Sequence, residues 1–430
     1  MEKFKLNTNQ KYVMSVNSNR ENCGNLSISF KIKGKLDKVK FEQAVQKTID
    51  NNDAFRFKIH KDENTKEIYQ IIYEKVQYKL DERKVAGSTY EDKYKNVERE
   101  IQKIYSKVKF FDSLLWDFVL FEMGDDEFIF WGRVNHIVTD GVSLSITFAN
   151  IQSYYLGNTP KKSNSYKNYL IEQENWKNSK IYLEKLNKYG IRLNELEKYG
   201  GIMNTSDNND KKTKIDFSYF ATIGDEKLSE FCKKNKMSLF HVCLYLFHAA
   251  LSAIYHRKDI RITVPVGTRK YDYINTIGCL SSMCWSRLIF RDNMSMREAA
   301  IICRNNYFEN LKMDIIITEK IIKSGQPLDF VITYQNQITN FQKSIPFDEA
   351  TIEFITDSDF GKEGSEMEKV IVALSAVETV NNAILTLISD KDAFPIEKRN
   401  DAKKAFELAV RCLTERDMTF LEFCEMVENQ

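Results

Sequence analysis

The spacing of apolar and polar side chains predicts strands and helices that alternate along the first part of the chain. Residues 26–32 alternate apolar and polar positions, as in a half-buried strand. Residues 39–49 then repeat apolar side chains at helical spacing. Residues 54–59 and 68–73 each predict a further strand, and residues 91–108 predict a highly charged helix with a solvated face. The beginning of the chain is thus predicted to combine strands with helices.

One stretch of this part combines a strong strand pattern with polar residues at its end. Phe128–Trp131 is a short, continuous apolar run, which is typical of a buried strand, and residues 115–121 are expected to pair with it as a hairpin. Asn135 and His136 follow, and a Thr-Asp-Gly turn then leads into a helix at residues 144–155. A histidine held at the end of a buried strand is where a general base would be placed.

The same residues also have structural interpretations. A lone histidine at a strand end is usually a structural residue, Asp140 could be the N-cap of the following helix, and Gly141 could be a turn residue. A metal site is not predicted, because the other histidines lie far from His136 without ligand spacing; they are His60, His241, His248 and His256. Spacing alone therefore favours the structural interpretation.

The second half of the chain again predicts strands and helices. Residues 214–223 and 259–269 predict strands, and residues 370–387 predict one or two more. Helices are predicted at residues 225–235, 238–256, 397–412 and 419–427. Loop and polar residues within 156–215 mark a seam between two parts, and 430 residues are enough for two or three domains.

Composition and charge exclude several classes of protein. The net charge is +2, from 63 basic and 61 acidic residues, so no nucleic-acid-binding surface is indicated. No apolar run approaches the roughly 20 residues that a bilayer requires, and the first residues lack a signal-peptide core. The eight cysteines show no C-x-x-C pair and are expected to be reduced, mostly buried thiols. We expect a cytoplasmic, monomeric globular protein.

The residues around His136 resemble a motif of a known family. Asn135-His136-Ile-Val-Thr-Asp140-Gly141 is similar to the His-His-x-x-x-Asp-Gly motif of the condensation domains of nonribosomal peptide synthetases. More broadly, it resembles the His-x-x-x-Asp-Gly motif of the chloramphenicol acetyltransferase-like acyltransferases. The second histidine of the longer motif falls on His136, whereas Asn135 replaces the first, which is a departure from the family's pattern.

The resemblance implies supporting roles for residues near His136. Arg269 follows a strand at the place of a family arginine that is usually ion-paired with the motif aspartate, which implies a pair with Asp140. Both residues are therefore expected to be architectural. Gly141 is expected to leave room for a thioester, and the hydroxyl of Ser143 to help cap the helix that follows.

Two later segments extend the resemblance to nearly the whole chain. Gly278 belongs to a segment that resembles the one bridging the two halves of the family's fold, although Ser282 replaces its asparagine. Residues 329–336 resemble the family's Phe-x-Tyr-Gln-Asn strand, with Tyr334 and Asn336 near its end. The resemblance thus implies bridging or tunnel-lining positions for these residues.

The fold class implied by the resemblance is α/β, with two chloramphenicol acetyltransferase-like sandwich halves arranged as a V-shaped pseudo-dimer. Residues 1–175 would form the half that carries the His136 motif, and residues 176–430 the other half, with bridging segments back to the first. His136 would lie at the junction, in a tunnel open at both ends. There it would accept a proton from a nucleophile, usually an amine, that attacks an acyl thioester.

The implied activity is that of a free-standing condensation-type acyltransferase in natural-product biosynthesis. No cofactor would be bound permanently, and the substrates would be linked to phosphopantetheine on acyl or peptidyl carrier proteins or on CoA. The acceptor would be a small amine or alcohol, so the product would be an amide or an ester. Two alternatives stay open: a CoA-dependent O- or N-acyltransferase, and a catalytically silent module that recruits carrier proteins. Only the replacements at Asn135 and Ser282 favour the silent module.

Overall fold

The computed structural model divides the chain into two compact units. It describes residues 2–17, 24–198, 215–324, 328–335, 345–355, 370–379 and 382–429. The first unit comprises Met1–Tyr182, Gly267–Ser281 and Thr339–Glu366, and the second comprises Leu183–Val266, Ser282–Ile338 and Met367–Gln430. Two segments from the later part of the chain therefore belong to the same unit as the N-terminal part.

The described residues contain fifteen strands and twelve α-helices. The strands are β1 (Glu2–Lys5), β2 (Asn25–Gly34), β3 (Phe57–Lys61), β4 (Ile68–Ile72), β5 (Asp81–Lys84), β6 (Trp116–Gly124), β7 (Glu127–Asn135), β8 (Ile215–Ile223), β9 (Asp259–Gly267), β10 (Ser281–Ile289), β11 (Phe330–Gln335), β12 (Ile345–Phe347), β13 (Ala350–Ile355), β14 (Val372–Glu378) and β15 (Ala383–Asp390). The helices are α1 (Thr8–Asn17), α2 (Lys38–Asp50), α3 (Tyr90–Tyr105), α4 (Gly141–Tyr155), α5 (Tyr166–Lys177), α6 (Lys180–Glu197), α7 (Glu226–Asn235), α8 (Leu239–Ile254), α9 (Met296–Leu311), α10 (Asp314–Ser324), α11 (Ile396–Thr414) and α12 (Phe420–Glu428).

The larger sheet of the first unit places β7 in its interior. Its six strands follow the order β12-β13-β2-β7-β6-β5, and β1, β4 and β3 form a separate small sheet. β7 is antiparallel to both β2 and β6, and β6 and β7 form the predicted hairpin. The register places Asn25 opposite Asn135. β13 joins the free edge of β2 from a much later part of the chain.

Helices cover both faces of this sheet. On one face, Phe41 of α2 packs edge-on against Phe130 with ring centroids 5.0 Å apart, and Tyr155 of α4 stacks on Phe347 of β12 at 4.0 Å. On the other face, Trp131 lies in a buried cluster with apolar residues of α3. Both faces of β7 are therefore buried, which explains its continuous apolar run.

The second unit is built on a mixed six-stranded sheet of order β10-β9-β11-β14-β15-β8. β11 is parallel to β9 and β14, whereas β15 is antiparallel to β14 and β8. Thirteen of the sixteen residues of α8 are buried, so this helix is apolar all round because it lies in the core. Within the described residues, no single helix has the length and apolar composition to cross a bilayer; α7 and α8 pass only as a pair bent by 100°.

The structure differs from the sequence prediction at residues 54–59. A 3₁₀ helix occupies Asp53–Arg56, and β3 begins at Phe57. The Arg56 guanidinium lies 2.7 Å from the Asp53 carboxylate, and side chains three residues apart meet on a helical turn rather than along a strand. The strand prediction for the first residues of this segment is therefore wrong.

The sequence pattern does not predict α6, α9, α10, β12 or β13. In α10 the run Ile315-Ile-Ile-Thr318 is β-branched, which favours a strand, yet all four residues are buried in a helix. Tertiary burial overrides the local preference there. Residues 370–387, for which one or two strands are predicted, contain β14 and most of β15.

We predict that Phe41→Ala lowers the free energy of unfolding by about 3–5 kcal/mol, because removing a buried ring that packs on Phe130 leaves a cavity. Denaturant titration followed by circular dichroism measures this loss. Val39→Ala is the matched control, since Val39 lies on the same helix and is 69% exposed. An equal loss in the two variants would contradict the packing described for Phe41.

Candidate active site

His136 lies where β7 ends and the chain turns towards α4. Its backbone N–H donates to the Gly24 carbonyl oxygen at 2.6 Å, which fixes the backbone that carries the ring. The side chain is half-buried. Its Nδ1 is buried and has no hydrogen-bond partner in the described part of the chain. Nε2 is therefore the ring nitrogen through which His136 can act on a bound molecule.

Asn135 is fully buried and stabilises the turn that follows it. Its Oδ1 accepts from the Ile137 N–H at 3.0 Å, and its Nδ2 donates to the Asn25 Oδ1 at 3.3 Å. Arg133 donates to the same Asn25 oxygen at 2.8 Å and is ion-paired with Asp117. Sequence reasoning missed Asn25 and Arg133, because only the pairing of β2 with β7 brings Asn25 next to the motif.

Asp140 caps α4 and forms a bidentate ion pair with Arg269. Its Oδ1 accepts from the Ser143 N–H at 2.8 Å, the geometry of a helix N-cap. Arg269 Nη1 donates to Oδ2 at 2.8 Å, and Nη2 donates to Oδ1 at 2.7 Å. Oδ2 also accepts from the Leu280 N–H at 2.9 Å. The structure thus brings together the two residues that the resemblance pairs, and both side chains are almost completely buried.

The hydroxyl of Ser143 contacts Gly278 and Arg269. It accepts from the Gly278 N–H at 3.0 Å and from Arg269 Nη2 at 2.6 Å, and it donates to the Gly278 carbonyl at 2.9 Å. The side chain that caps α4 is Asp140. The expectation that the Ser143 hydroxyl helps to cap the helix is therefore corrected: from the first turn of α4 it reaches the segment that carries Arg269.

Gly141 and Gly278 occupy different environments. A Cβ atom at Gly278 would lie 2.2 Å from the ring of Tyr166, which is buried, so packing requires a glycine there. A Cβ atom at Gly141 would meet nothing within 4 Å, and the backbone of Gly141 is not in the left-handed region. Neither packing nor backbone conformation within the protein therefore requires glycine at Gly141.

The remaining predicted site residues belong to the second unit. Ser282 is buried, with its hydroxyl 2.7 Å from that of Thr318 on α10. The Tyr334 hydroxyl donates to the Glu378 carboxylate at 2.9 Å, and burial, followed by the charged groups nearby, raises the pKa of Tyr334. Asn336 lies outside the described residues. Ser282 and Tyr334 thus both have protein partners for their hydroxyl groups.

Burial makes two of the other histidines and the described cysteines poor candidates for catalysis. Burial lowers the pKa of His248 to about 3, and burial together with the Arg304 charge lowers that of His241 to about 4. Burial raises the pKa of each described cysteine thiol, which disfavours a reactive thiolate at neutral pH; these are Cys232, Cys243, Cys279, Cys284, Cys303, Cys412 and Cys424. No cluster of three or more His, Cys, Asp or Glu suited to a metal ion occurs among the described residues.

Sequence comparisons point to one family. A family model described as Condensation domain matches residues 2–284. Surfactin synthase subunit 1 from Bacillus subtilis (strain 168) is 26% identical over 245 residues, which cover 54% of this chain and 7% of that protein. The chain therefore spans only a small fraction of the length of this relative.

Structural comparisons show the same fold at low sequence identity. The X-domain in its complex with OxyB from teicoplanin biosynthesis matches with a TM-score of 0.76 and 12% identity, over 98% of this chain and 96% of that chain. The starter condensation domain of rhizomide synthetase in complex with C8-CoA matches with a TM-score of 0.73 and 13% identity, over 97% and 96% of the two chains. The predicted α/β fold of the chloramphenicol acetyltransferase type is confirmed.

We predict that Asp140→Asn lowers the free energy of unfolding by about 3–5 kcal/mol, because it leaves the Arg269 guanidinium buried without a counter-charge. The amide oxygen can still cap α4, whereas the amide nitrogen replaces the acceptor of Arg269 Nη1 and the Leu280 N–H, so the loss reports on the contacts with this segment rather than on the cap. Denaturant titration measures it. Glu91→Gln, which removes the exposed pair with Lys95, is the control and should cost far less, because solvent screens exposed ion pairs. Equal costs would contradict a structural role for the buried pair.

We predict opposite outcomes for alanine at the two glycines. Gly278→Ala should destabilise the protein by about 1–3 kcal/mol, because the new methyl group overlaps the buried Tyr166 ring. Gly141→Ala should leave stability unchanged or slightly raised, because alanine is the better helix former and the methyl group meets no protein atom. Thermal and denaturant unfolding compare the two; destabilisation by Gly141→Ala would show that the space beside it is not open.

Proposed function

Because the chain belongs to the Condensation domain family, we propose that it joins a carrier-bound acyl or aminoacyl thioester to an amine or a hydroxyl group, with His136 as the catalytic residue. Condensation-type acyl transfer is the general activity of the family. The thioester would be linked through phosphopantetheine, and the product would be an amide or an ester. The acceptor would be a small amine or alcohol.

The observation that carries the proposal is the difference in hydrogen bonding between Asp140 and His136, the two ionisable side chains of the motif. Asp140 accepts hydrogen bonds from Arg269, Ser143 and Leu280, so the protein engages both of its carboxylate oxygens. His136 is half-buried, and its Nδ1 has no partner in the described part of the chain. The imidazole is therefore the motif group that can exchange a proton with a bound reactant.

The proposed amide-forming reaction requires a single proton acceptor. The nitrogen of an amine attacks the thioester carbonyl carbon, a C–N bond forms, and the amine proton passes to Nε2 of His136. The C–S bond then breaks, and the phosphopantetheine thiol leaves with that proton. Asn135 cannot accept a proton, so His136 acts without a second motif base. Holding the two reactants in line supplies a further large part of the acceleration.

Gly141 provides space for the acyl thioester in this proposal. The residue begins α4, directly after the cap residue Asp140, and a Cβ atom there would meet no protein atom within 4 Å. An open volume that the protein leaves empty beside the motif suits a bound substrate. Gly141→Ala should therefore lower turnover while it leaves the fold intact.

The identity of the donor carrier separates the leading proposal from a CoA-dependent acyltransferase. The match to the Condensation domain family favours a carrier-bound donor, and the similarity to a segment of surfactin synthase subunit 1 agrees with it. The rhizomide synthetase domain, by contrast, is bound to C8-CoA in its structure. A preference for the same acyl group on CoA over carrier protein would favour the CoA-dependent alternative.

A silent recruitment module is the third candidate. The X-domain from teicoplanin biosynthesis shares the fold and forms a complex with OxyB, so the fold can serve protein binding. The replacements at Asn135 and Ser282 favour this alternative. The intact His136, Asp140 and Arg269 constellation favours catalysis.

We predict that His136→Ala lowers turnover by about 10²- to 10⁴-fold, because the attacking amine loses its proton acceptor. Mass spectrometry would detect products from acyl thioesters offered on carrier protein and on CoA, with amine and alcohol acceptors. His256→Ala is the control, because this histidine is exposed, contacts Glu428 and belongs to the second unit. Undiminished turnover in His136→Ala would contradict the mechanism. An inactive wild type that still binds carrier protein would favour the recruitment module.

A further inference from the structure

Gln10 is fully buried at the start of α1 and has two separate functions there. Its backbone N–H donates to Asn7 Oδ1 at 2.8 Å, and its side-chain Oε1 accepts from the Asn7 N–H at 3.1 Å. This reciprocal pair is a capping box for α1. The cap uses Oε1 of the Gln10 side chain, and the Nε2 group makes its contacts outside α1 and its cap.

The Nε2 group of Gln10 reaches the loop that carries His136. It donates to the Ile137 carbonyl oxygen at 3.0 Å, a contact between residues 127 positions apart in the chain. Gln70, also fully buried, fixes the amide: Gln10 Nε2 donates to Gln70 Oε1 at 2.8 Å, and Gln70 Nε2 donates to Gln10 Oε1 at 2.9 Å. Gln70 is in turn held by the Lys5 carbonyl at 3.0 Å.

The peptide groups of Ile137 are thus held from two sides. The Ile137 N–H donates to Asn135 Oδ1, and the Ile137 carbonyl accepts from Gln10. Ile137 directly follows His136 and is fully buried, so its carbonyl oxygen is shielded from bulk water. Within the described part of the chain, Gln10 is its only donor. Without Gln10, the carbonyl would stay unsatisfied or the peptide would rotate, because a buried carbonyl without a donor is costly.

From these contacts we propose that Gln10 is a positioning residue for His136. Asn135 holds the His136–Ile137 peptide through its N–H, and the Gln10–Gln70 pair fixes the Ile137–Val138 peptide that follows, so that together they fix the backbone from which the imidazole projects. This inference rests on the proposed function, in which His136 takes the proton of the attacking nucleophile. Rotation of the Ile137–Val138 peptide would shift the adjoining backbone of His136 and displace its ring relative to the reacting atoms. A misplacement of about 1 Å can cost 10²-fold in rate.

Loss of Gln10 should affect kcat and KM to different extents. Gln10 lies beneath the loop backbone and contacts protein atoms, so its loss should act on the chemical step and leave substrate binding nearly unchanged. The expected signature is a lower kcat with little change in KM. A residue that only stabilises the fold would change neither constant once the measurement is made on folded protein.

The experiment compares three methionine variants of similar side-chain volume in the full chain. Gln10→Met removes the donor to Ile137 together with the Oε1 acceptor used by Asn7, whereas Gln70→Met leaves Gln10 in place and removes the amide that holds it, along with the bond to the Lys5 carbonyl. Gln46→Met is the matched control, because Gln46 also bonds backbone groups of a distant segment, donating to the Val76 carbonyl and accepting from the Tyr78 N–H, away from the motif. Each variant is assayed for kcat and KM below its unfolding temperature.

A second readout does not depend on activity. The chain has five histidines, so ¹⁵N-histidine labelling gives few imidazole signals, and the spectrum of His136→Gln assigns that of His136. We expect Gln10→Met to lower kcat about 10- to 100-fold with KM within about threefold, and to shift or split the His136 signal. Gln70→Met should have a smaller effect of the same kind, and Gln46→Met none. If Gln10→Met does not fold, the kcat and the His136 signal of Gln70→Met test the positioning role instead.

Different results would contradict the positioning role of Gln10 and the proposed acyltransferase function. An active wild type whose kcat and His136 signal are both unchanged by Gln10→Met would overturn the positioning role while the acyltransferase function stands. Equal changes in Gln10→Met and Gln46→Met would overturn it as well. If the wild type has no turnover with any thioester, the proposed function fails, and the His136 imidazole signal then tests the positioning role by itself. A shift confined to Gln10→Met and Gln70→Met supports that role. The absence of such a shift contradicts it.

Discussion

The ion pair between Asp140 and Arg269 is the interaction on which the rest of the site depends. Burying two charges is costly unless other contacts compensate for the lost hydration, and here the carboxylate accepts from the backbone of Ser143 and Leu280 as well as from Arg269. The pair therefore joins the first turn of α4 to the segment 267–281, which returns to the first unit from later in the chain. Removing either partner would leave a buried charge at the base of the motif.

Three polar side chains of the motif, Asn135, His136 and Asp140, have different roles that follow from their chemistry. The charge of Asp140 serves architecture, and the neutral amide of Asn135 serves the turn, with one donor and one acceptor both in use. This leaves His136, whose side chain is half-buried and whose Nδ1 is enclosed without a partner in the described part of the chain, to meet a bound molecule through Nε2. Replacing a first histidine by asparagine is therefore compatible with the geometry of the turn, because an amide supplies the same kinds of hydrogen bond without a titratable group.

Local sequence patterns gave good predictions where neighbours in the chain determine the structure. The hairpin of β6 and β7, the position of His136 at the strand end and the N-cap at Asp140 are of this kind. Patterns failed where burial overrides propensity, as in α10, and where an ion pair three residues apart favours a helical turn, as at Asp53–Arg56. The local patterns also did not predict β13, because its partner strand β2 lies far away in the sequence.

The sequence by itself determined which groups can do chemistry: a histidine at the end of a buried strand, followed by an acidic cap and a glycine, in a chain whose motifs resemble one family. Only the tertiary structure decided how those groups are held. It shows that Gly278 faces the Tyr166 ring, that the Ser143 hydroxyl bonds Gly278 rather than capping α4, and that Gln10 reaches Ile137. The physical reason is that these contacts join residues more than a hundred positions apart, and no local periodicity records which distant side chain satisfies a buried carbonyl or fills the space beside a glycine.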